Sequence, residues 1–245
     1  MMLAIVFDLE TIRTHQKGQE RHIIEIGAVK VDLNDEKPSV IDTFQQYIIP
    51  PTKYIPKSSR KMIGMEKEDM YKSIPLQQAI KKFIKWLEND DYYLCTWSRS
   101  DLDIIQHNYD VNRFNVSWIK NYNDIQLPIS KALTGMDGVL GLKKAIELGG
   151  IPIEGKWHSG LSDAINTARL LIKYKENVLL QQKSIFEVFS IFHCPLFKTC
   201  RVCGETKYHN QFNSKMNICI PCETEKKLHS ERKQLLLSKK SESKI

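Results

Sequence analysis

No stretch of apolar residues in this 245-residue sequence approaches the ~18 that a bilayer-spanning helix needs. The apolar start is cut short by Asp8 and Glu10, and no basic region precedes it, which does not fit a secretory leader. Both absences point to a cytoplasmic protein with no membrane partner. Cysteine is scarce, six residues in all, and suits a reducing compartment. Excess charge is nearly missing from most of the chain: residues 1 to 190 hold 25 Lys or Arg against 24 Asp or Glu, whereas residues 191 to 245 hold 11 against 5. The net charge of +7 therefore sits almost entirely in the last fifth. A nearly neutral body with a cationic appendage suits a polyanion such as nucleic acid, although a solvated basic tail would carry the same charge. Core-forming residues are not lacking. With 42% apolar residues, four Trp, nine Tyr and nine Phe, the chain can build one medium domain and something small beside it.

The first motif is Leu3 to Thr11, an apolar run that ends in two acids. Leu3 to Phe7 reads as a buried strand whose carboxyl end carries Asp8 and Glu10. Side chains alternate across a strand, so both acids share one face while Leu9 returns to the other. Crowded carboxylates repel, and a divalent cation relieves the repulsion, since hard oxygen ligands suit magnesium or manganese. Two solvated acids at a strand end would give the same pattern.

Residues 12 to 22 read as a polar loop, His22 to Asp32 as a second strand and residues 39 to 49 as a third, stopped by Pro50-Pro51. Three strands before any long helix predict an antiparallel meander. Residues 74 to 88 carry apolar positions at helical spacing. Tyr92 to Trp97 is a fourth strand, and it leads into a helix over Leu102 to Asn108 with Ser100 as a candidate cap and Asp101 and Asp103 in its first turn. Acids are favoured there by the helix dipole alone. Residues 138 to 149 read as another helix. A loop over 151 to 161 then delivers His158 to a last helix that starts near Ser162. His158 and Asp163, five apart, would diverge by about 140° on one helix, so they converge only if His158 hangs from the loop.

Cys200, Cys203, Cys219 and Cys222 form two C-x2-C pairs separated by fifteen residues, which is zinc-ligand spacing. Cys95 and Cys194 stand apart, and Cys95 reads as a small buried thiol. Phe186, Phe189, Phe192 and Phe197 make residues 183 to 198 too apolar for a free linker, and they are expected to pack on the preceding body. Residues 225 to 245 read as a basic tail with helical character, and residues 199 to 224 as the zinc-binding module.

Asp8-x-Glu10, Trp97-Ser-Arg-Ser-Asp101 and His158-Ser-Gly-Leu-Ser-Asp163-Ala-x-Asn166-x-Ala168 together resemble the DEDDh 3′-to-5′ exonucleases, the family of proofreading subunits and RNase T. Ile24-Glu25-Ile26-Gly27-Ala28-Val29 and the turn Met62-Ile63-Gly64-Met65 resemble further signatures of the subgroup related to histone-mRNA exonucleases. Ser98 stands where that subgroup has Gly, and Met-Ile-Gly-Met replaces Leu-Thr-Gly-Ile. The sibling DEDDy pattern would need Tyr at position 159, where this chain has Ser159.

The resemblance implies an α/β RNase H-like domain over residues 1 to 182, with a mixed five-stranded sheet and flanking helices. It implies Asp8, Glu10, Asp101 and Asp163 as ligands of two magnesium or manganese ions, His158 as general base, and Thr11 and Met62 around the terminal nucleotide. The C-terminal segment resembles small zinc ribbons, which bind DNA, RNA or proteins and so leave a protein partner open. The expected activity is 3′-to-5′ trimming of single-stranded RNA. DNA is the alternative substrate, and a regulatory protein that keeps an exonuclease fold for protein binding is the alternative class.

Overall fold

In this computed structural model, residues 2–13, 21–34, 37–88, 91–190, 197–208, 211–212, 217–228 and 230 are described, with the side chains of 110, 111, 190, 197 and 208 excepted. The chain divides into two compact units between Val188 and Phe189.

In the first unit, β1 (Leu3–Arg13), β2 (Arg21–Asp32) and β3 (Ser39–Ile49) form the expected antiparallel meander. Helices α1 (Lys57–Ile63) and α2 (Lys67–Lys72) follow, then a two-residue strand β4 (Ile74–Pro75), helix α3 (Leu76–Leu87), β5 (Tyr92–Thr96), α4 (Ser100–Asn112) and β6 (Tyr122–Asp124). Helices α5 (Gln126–Thr134), α6 (Leu142–Leu148) and α7 (Gly160–Lys173) complete the body, and α8 (Ile185–Ser190) follows. The sheet order is β4-β3-β2-β1-β5-β6. It is mixed, with β5 parallel to β1 and β6 parallel to β5, and has one strand more than expected because Ile74 and Pro75 pair with Ile48 and Ile49.

Strand β2 is almost wholly buried along its length, since the sheet is covered on both faces. Helix α3 lays Leu76, Ala79, Ile80, Phe83 and Leu87 on the sheet, as its spacing predicts. On the other face Ala164, Ala168, Leu170 and Leu171 of α7 pack with Val6, Val29 and Cys95.

Several boundaries move. The loop expected over 12 to 22 is shortened, because Ile12 and Arg13 still pair with His22 and Arg21, and residues 14–20 lie outside the described residues. Asp8 and Glu10 therefore sit inside a long strand, not at its end. Ser100 is the first residue of α4, and its hydroxyl is engaged with that of Ser98 at 2.7 Å, so it does not cap the helix. The helix expected over 138 to 149 begins only at Leu142, after Gly141.

The second unit contains a two-stranded antiparallel ladder, β7 (Phe197–Thr199) with β8 (Thr206–Tyr208), and a bridge between Phe212 and Cys219. Residues 220–228 are helical. Phe189 is buried and Phe186 is half-exposed, while Phe192, Cys194 and residues 231–245 of the basic tail lie outside the described residues.

Candidate active site

The site begins with a close crossing of backbones. A Cβ built on Gly27 of β2 would lie 2.0 Å from both the Gly160 carbonyl carbon and the Leu161 nitrogen at the start of α7. No side chain there could move aside, so only glycine permits the approach. Gly27 is also the partner of Asp8 across the β1–β2 ladder. The first turn of α7 is thereby seated over the acids of β1, and Asp163 stands in that turn.

Leu9 is buried on the opposite face from its flanking acids, and its N–H donates to Asp101 Oδ1 at 3.0 Å. That bond ties the start of α4 to β1, which is possible because β5, the strand before α4, runs parallel beside β1. Asp101 is buried, whereas Asp103 is exposed and ion-paired with Arg99 at 3.5 Å. Only the first acid of that pair belongs to the site.

His158 precedes α7, as the loop reading requires. Its φ of 65° is the left-handed region that non-glycine residues seldom adopt, and its N–H donates to Asp163 Oδ2 at 3.1 Å. The carboxylate thus helps to hold a strained loop residue that presents its ring. Ligand atoms of Glu10, His158 and Asp163 all lie within 4.8 Å of one another. Asp8 and Asp101 stand outside that tightest group, but the charge of Asp101 is felt at Glu10, and the charges of Glu10 and Asp163 are felt at Asp8.

Burial raises Asp8 well above the usual carboxylate range, with Asp101, Glu10, Asp163 and Glu25 adding to the shift. Burial, followed by the charges of Glu25, Asp163 and Asp101, pushes Glu10 up to about 8. Asp101 is raised to about 7 by burial and by Asp124 and Asp163, against the opposing bond from Leu9. Asp163 is raised to about 6 by burial, against the stabilising N–H and charge of His158. Four carboxylates that resist ionisation together form a low-dielectric oxygen cage, and a cation reverses each shift. Asp163 Oδ1 is buried without a hydrogen-bond partner among the described residues. An orphaned oxygen among hard donors suits magnesium or manganese.

Sequence reading assigned no role to Glu25. This acid is fully buried on β2, directly across from Glu10. Its Oε1 accepts from Gln45 Nε2 at 2.8 Å, the Leu161 N–H at 3.3 Å and the Ser159 hydroxyl at 3.4 Å, which clamps β2 to the start of α7. A charged residue within the apolar run from Ile23 to Val29, two before a lone glycine, was the available signal. A register shift between Glu10 and Thr11 marks a bulge beside the acids. Thr11 follows it, and Met62 is exposed near the end of α1, where Gly64 closes the helix in the left-handed conformation.

In the second unit the Sγ atoms of Cys200, Cys203, Cys219 and Cys222 lie within 4.8 Å of one another. The 3.9 Å between Cys203 and Cys219 matches the ~3.8 Å edge of a tetrahedron with Zn–S bonds near 2.3 Å. Cys200 Sγ accepts from the N–H groups of Val202 and Cys219, each at 3.4 Å. Led by the Cys219 bond, these contacts lower its thiol to about 6. The donor set suits a structural zinc ion.

A family model described as Exonuclease, RNase_T, matches residues 5–171. The chain is 27% identical over 202 residues to ERI1 exoribonuclease 2 of Homo sapiens, an alignment covering 69% of this chain but 28% of that protein. The nuclease domain of 3′hExo, a DEDDh family member solved with bound rAMP, superposes with a TM-score of 0.62 at 19% identity, covering 74% of this chain and 96% of the other. Cell-death related nuclease 4 gives 0.63 at 14% identity, with 88% and 94% covered.

Proposed function

The chain belongs to the RNase_T exonuclease family, and from that membership we propose that it removes nucleotides from the 3′ end of single-stranded nucleic acid, with RNA preferred to DNA. The observation that carries the proposal is the convergence of Glu10, His158 and Asp163, brought from both ends of the first unit to within 4.8 Å beside the raised acids Asp8 and Asp101.

Asp8, Glu10, Asp101 and Asp163 are the residues that would hold two magnesium or manganese ions. When bound there, such ions neutralise charge on the attacking and leaving oxygens of a phosphodiester. His158 accepts the proton of the attacking water as general base. Asp163 contributes twice, as a charge and as the acceptor that fixes the His158 backbone. Thr11 and Met62 flank the terminal nucleotide. The preference for RNA rests on the relative named an exoribonuclease and on the neighbour that holds rAMP.

In this reading residues 1–182 carry the chemistry and residues 183–198 connect. Residues 199–224 bind one structural zinc, and residues 225–245 add positive charge that helps hold single strands. The test is incubation of the pure chain with 3′- and 5′-end-labelled RNA and DNA, with Mg2+ or Mn2+ or neither. Cation-dependent shortening from the 3′ end, faster on RNA and lost in Asp8→Ala and Asp163→Ala, is expected. Faster trimming of DNA would overturn the substrate preference. Full activity in either variant would overturn the cation-assisted mechanism.

A further inference from the structure

We propose that a basic cavity beside the His158 loop binds the sugar-phosphate backbone of the substrate strand on the 5′ side of the scissile bond; this rests on the exonuclease reading above. The cavity has a volume of about 270 Å3. Lys57, Arg60 and Lys61 of α1, Lys67 of α2 and Lys156 line it, and Glu66 is its only acid. Elsewhere in the body cations find acids, as Lys131 does Asp137 at 2.8 Å and Arg169 does Glu154 at 3.2 Å. None of the five cavity cations is in an ion pair among the described residues.

The hydrogen-bonding capacity of the cluster is also largely unspent. Arg60 Nε is buried with no partner among the described residues, and its Nη1 meets only the Met70 sulfur at 3.0 Å, a weak acceptor. Lys156 Nζ donates to the Lys61 main-chain oxygen, which draws the catalytic loop and α1 together and leaves two of its protons for another acceptor. The neighbouring carboxylate of Asp69 is engaged by the Glu66 N–H at 2.9 Å. Five like charges with free donors call for an anion with several acceptor oxygens, and phosphate matches both charge and geometry.

Position identifies which phosphates. The cavity contains Gly64, at the end of the Met62 turn, and Lys156, two residues before His158. An enzyme acting at a 3′ end has only one phosphate at its reacting centre, and every other phosphate of the strand lies to the 5′ side. A cationic pocket adjoining the catalytic loop therefore meets those next in line. Because the contacts are to phosphate, they add affinity without choosing bases.

Lys57→Ala, Lys61→Ala and Lys67→Ala combined in the full chain test this. All three residues are exposed, and their side chains hold no hydrogen bond or ion pair among the described residues, so folding does not depend on them. Cleavage of a dinucleotide lacking a 5′ phosphate, which has only the scissile phosphate, should keep its kcat and KM. For a longer oligonucleotide kcat should hold while KM rises on the order of 10- to 100-fold. The dependence of log KM on log salt should flatten by about 0.7 for each phosphate that the variant no longer neutralises. Equal KM changes on both substrates, or none on either, would overturn the proposal. Should the wild-type chain cleave nothing, the exonuclease reading fails. Fluorescence anisotropy with a labelled oligonucleotide then decides the cavity separately: weaker binding by the variant supports it, and equal binding overturns it.

Discussion

Replacing Glu10 with Gln should abolish nuclease activity and, at the same time, stabilise the cation-free protein above neutral pH. Burial and three neighbouring carboxylates hold Glu10 at about 8, against an ordinary value of 4.5. Below pH 4.5 it is protonated whether the chain is folded or not. Between 4.5 and 8 the unfolded chain has released that proton and the folded chain retains it, so stability falls as pH rises through the window. Above 8 the whole cost of a buried, repelled charge is present. A shift of this size corresponds to about 5 kcal/mol at ~1.36 kcal/mol per unit. Glu10 keeps some solvent contact and shares its repulsions with Asp163 and Asp101, so roughly 2 kcal/mol is expected back from the amide. For a chain of this size that is about 4–8 °C in Tm. The assay is thermal unfolding at about pH 5, 6.5 and 8, in buffer freed of Mg2+ and Mn2+ by desalting, because a chelator would also strip zinc. Wild-type Tm should fall across this range and recover with Mg2+, and Glu10→Gln should show a shallower fall and little response to Mg2+. A wild-type Tm that is flat across the range, or a variant no more stable at its upper end, would refute the picture of an acid cage under strain.

His158→Ala should lower kcat by ~10²–10⁴-fold, the span of a lost general base, while the Mg2+ concentration for half-maximal activity stays near wild type. A matching loss of cation affinity would make His158 a ligand instead. Gly27→Ala forces a methyl into the Gly160–Leu161 backbone, so a cost near the upper end of overpacking, about 3 kcal/mol, should lower Tm and abolish cleavage together. Normal stability and activity would show that α7 does not depend on this seat. Elemental analysis should find one zinc per chain, lost when Cys203→Ser and Cys222→Ser are combined. That variant should cleave a dinucleotide at the wild-type rate and bind longer strands more weakly, and unchanged binding would assign the second unit to a protein partner.

Much of the site was legible because its residues report their own position. Asp8 and Glu10 flank a buried Leu9, and alternation alone puts them on one face. His158 and Asp163 cannot meet on a helix, and the loop glycines and prolines before α7 supply the break. The four-cysteine cluster is visible as spacing. Less legible was whatever depends on a distant partner. Nothing local shows that Gly27 lies under Gly160, or that Glu25 receives the Leu161 N–H, since those pairings need the whole sheet to exist first. Strands β4 and β6 were missed for a similar reason, as two or three residues carry no periodicity. The end of β1 was misplaced because a polar sequence is held in a ladder by the backbone of β2, which side-chain patterns do not record.

The clamp between Glu25 and Leu161 joins positions 136 residues apart, and for the proposed exonuclease this separation bears on when during synthesis the chain could act on nucleic acid. A ribosome delivers β1, with two of the acids, before any other part of the site, and the meander of β1 to β3 can pair as it emerges. His158 and Asp163 do not exist until most of the first unit has been translated, and they are not aimed at β1 until α7 closes over Gly27. A growing chain, still attached to the message that encodes it, carries two of the proposed ligand acids and no complete centre. Under the exonuclease function proposed above, activity arrives only with α7, so completion of the fold itself acts as the safety catch.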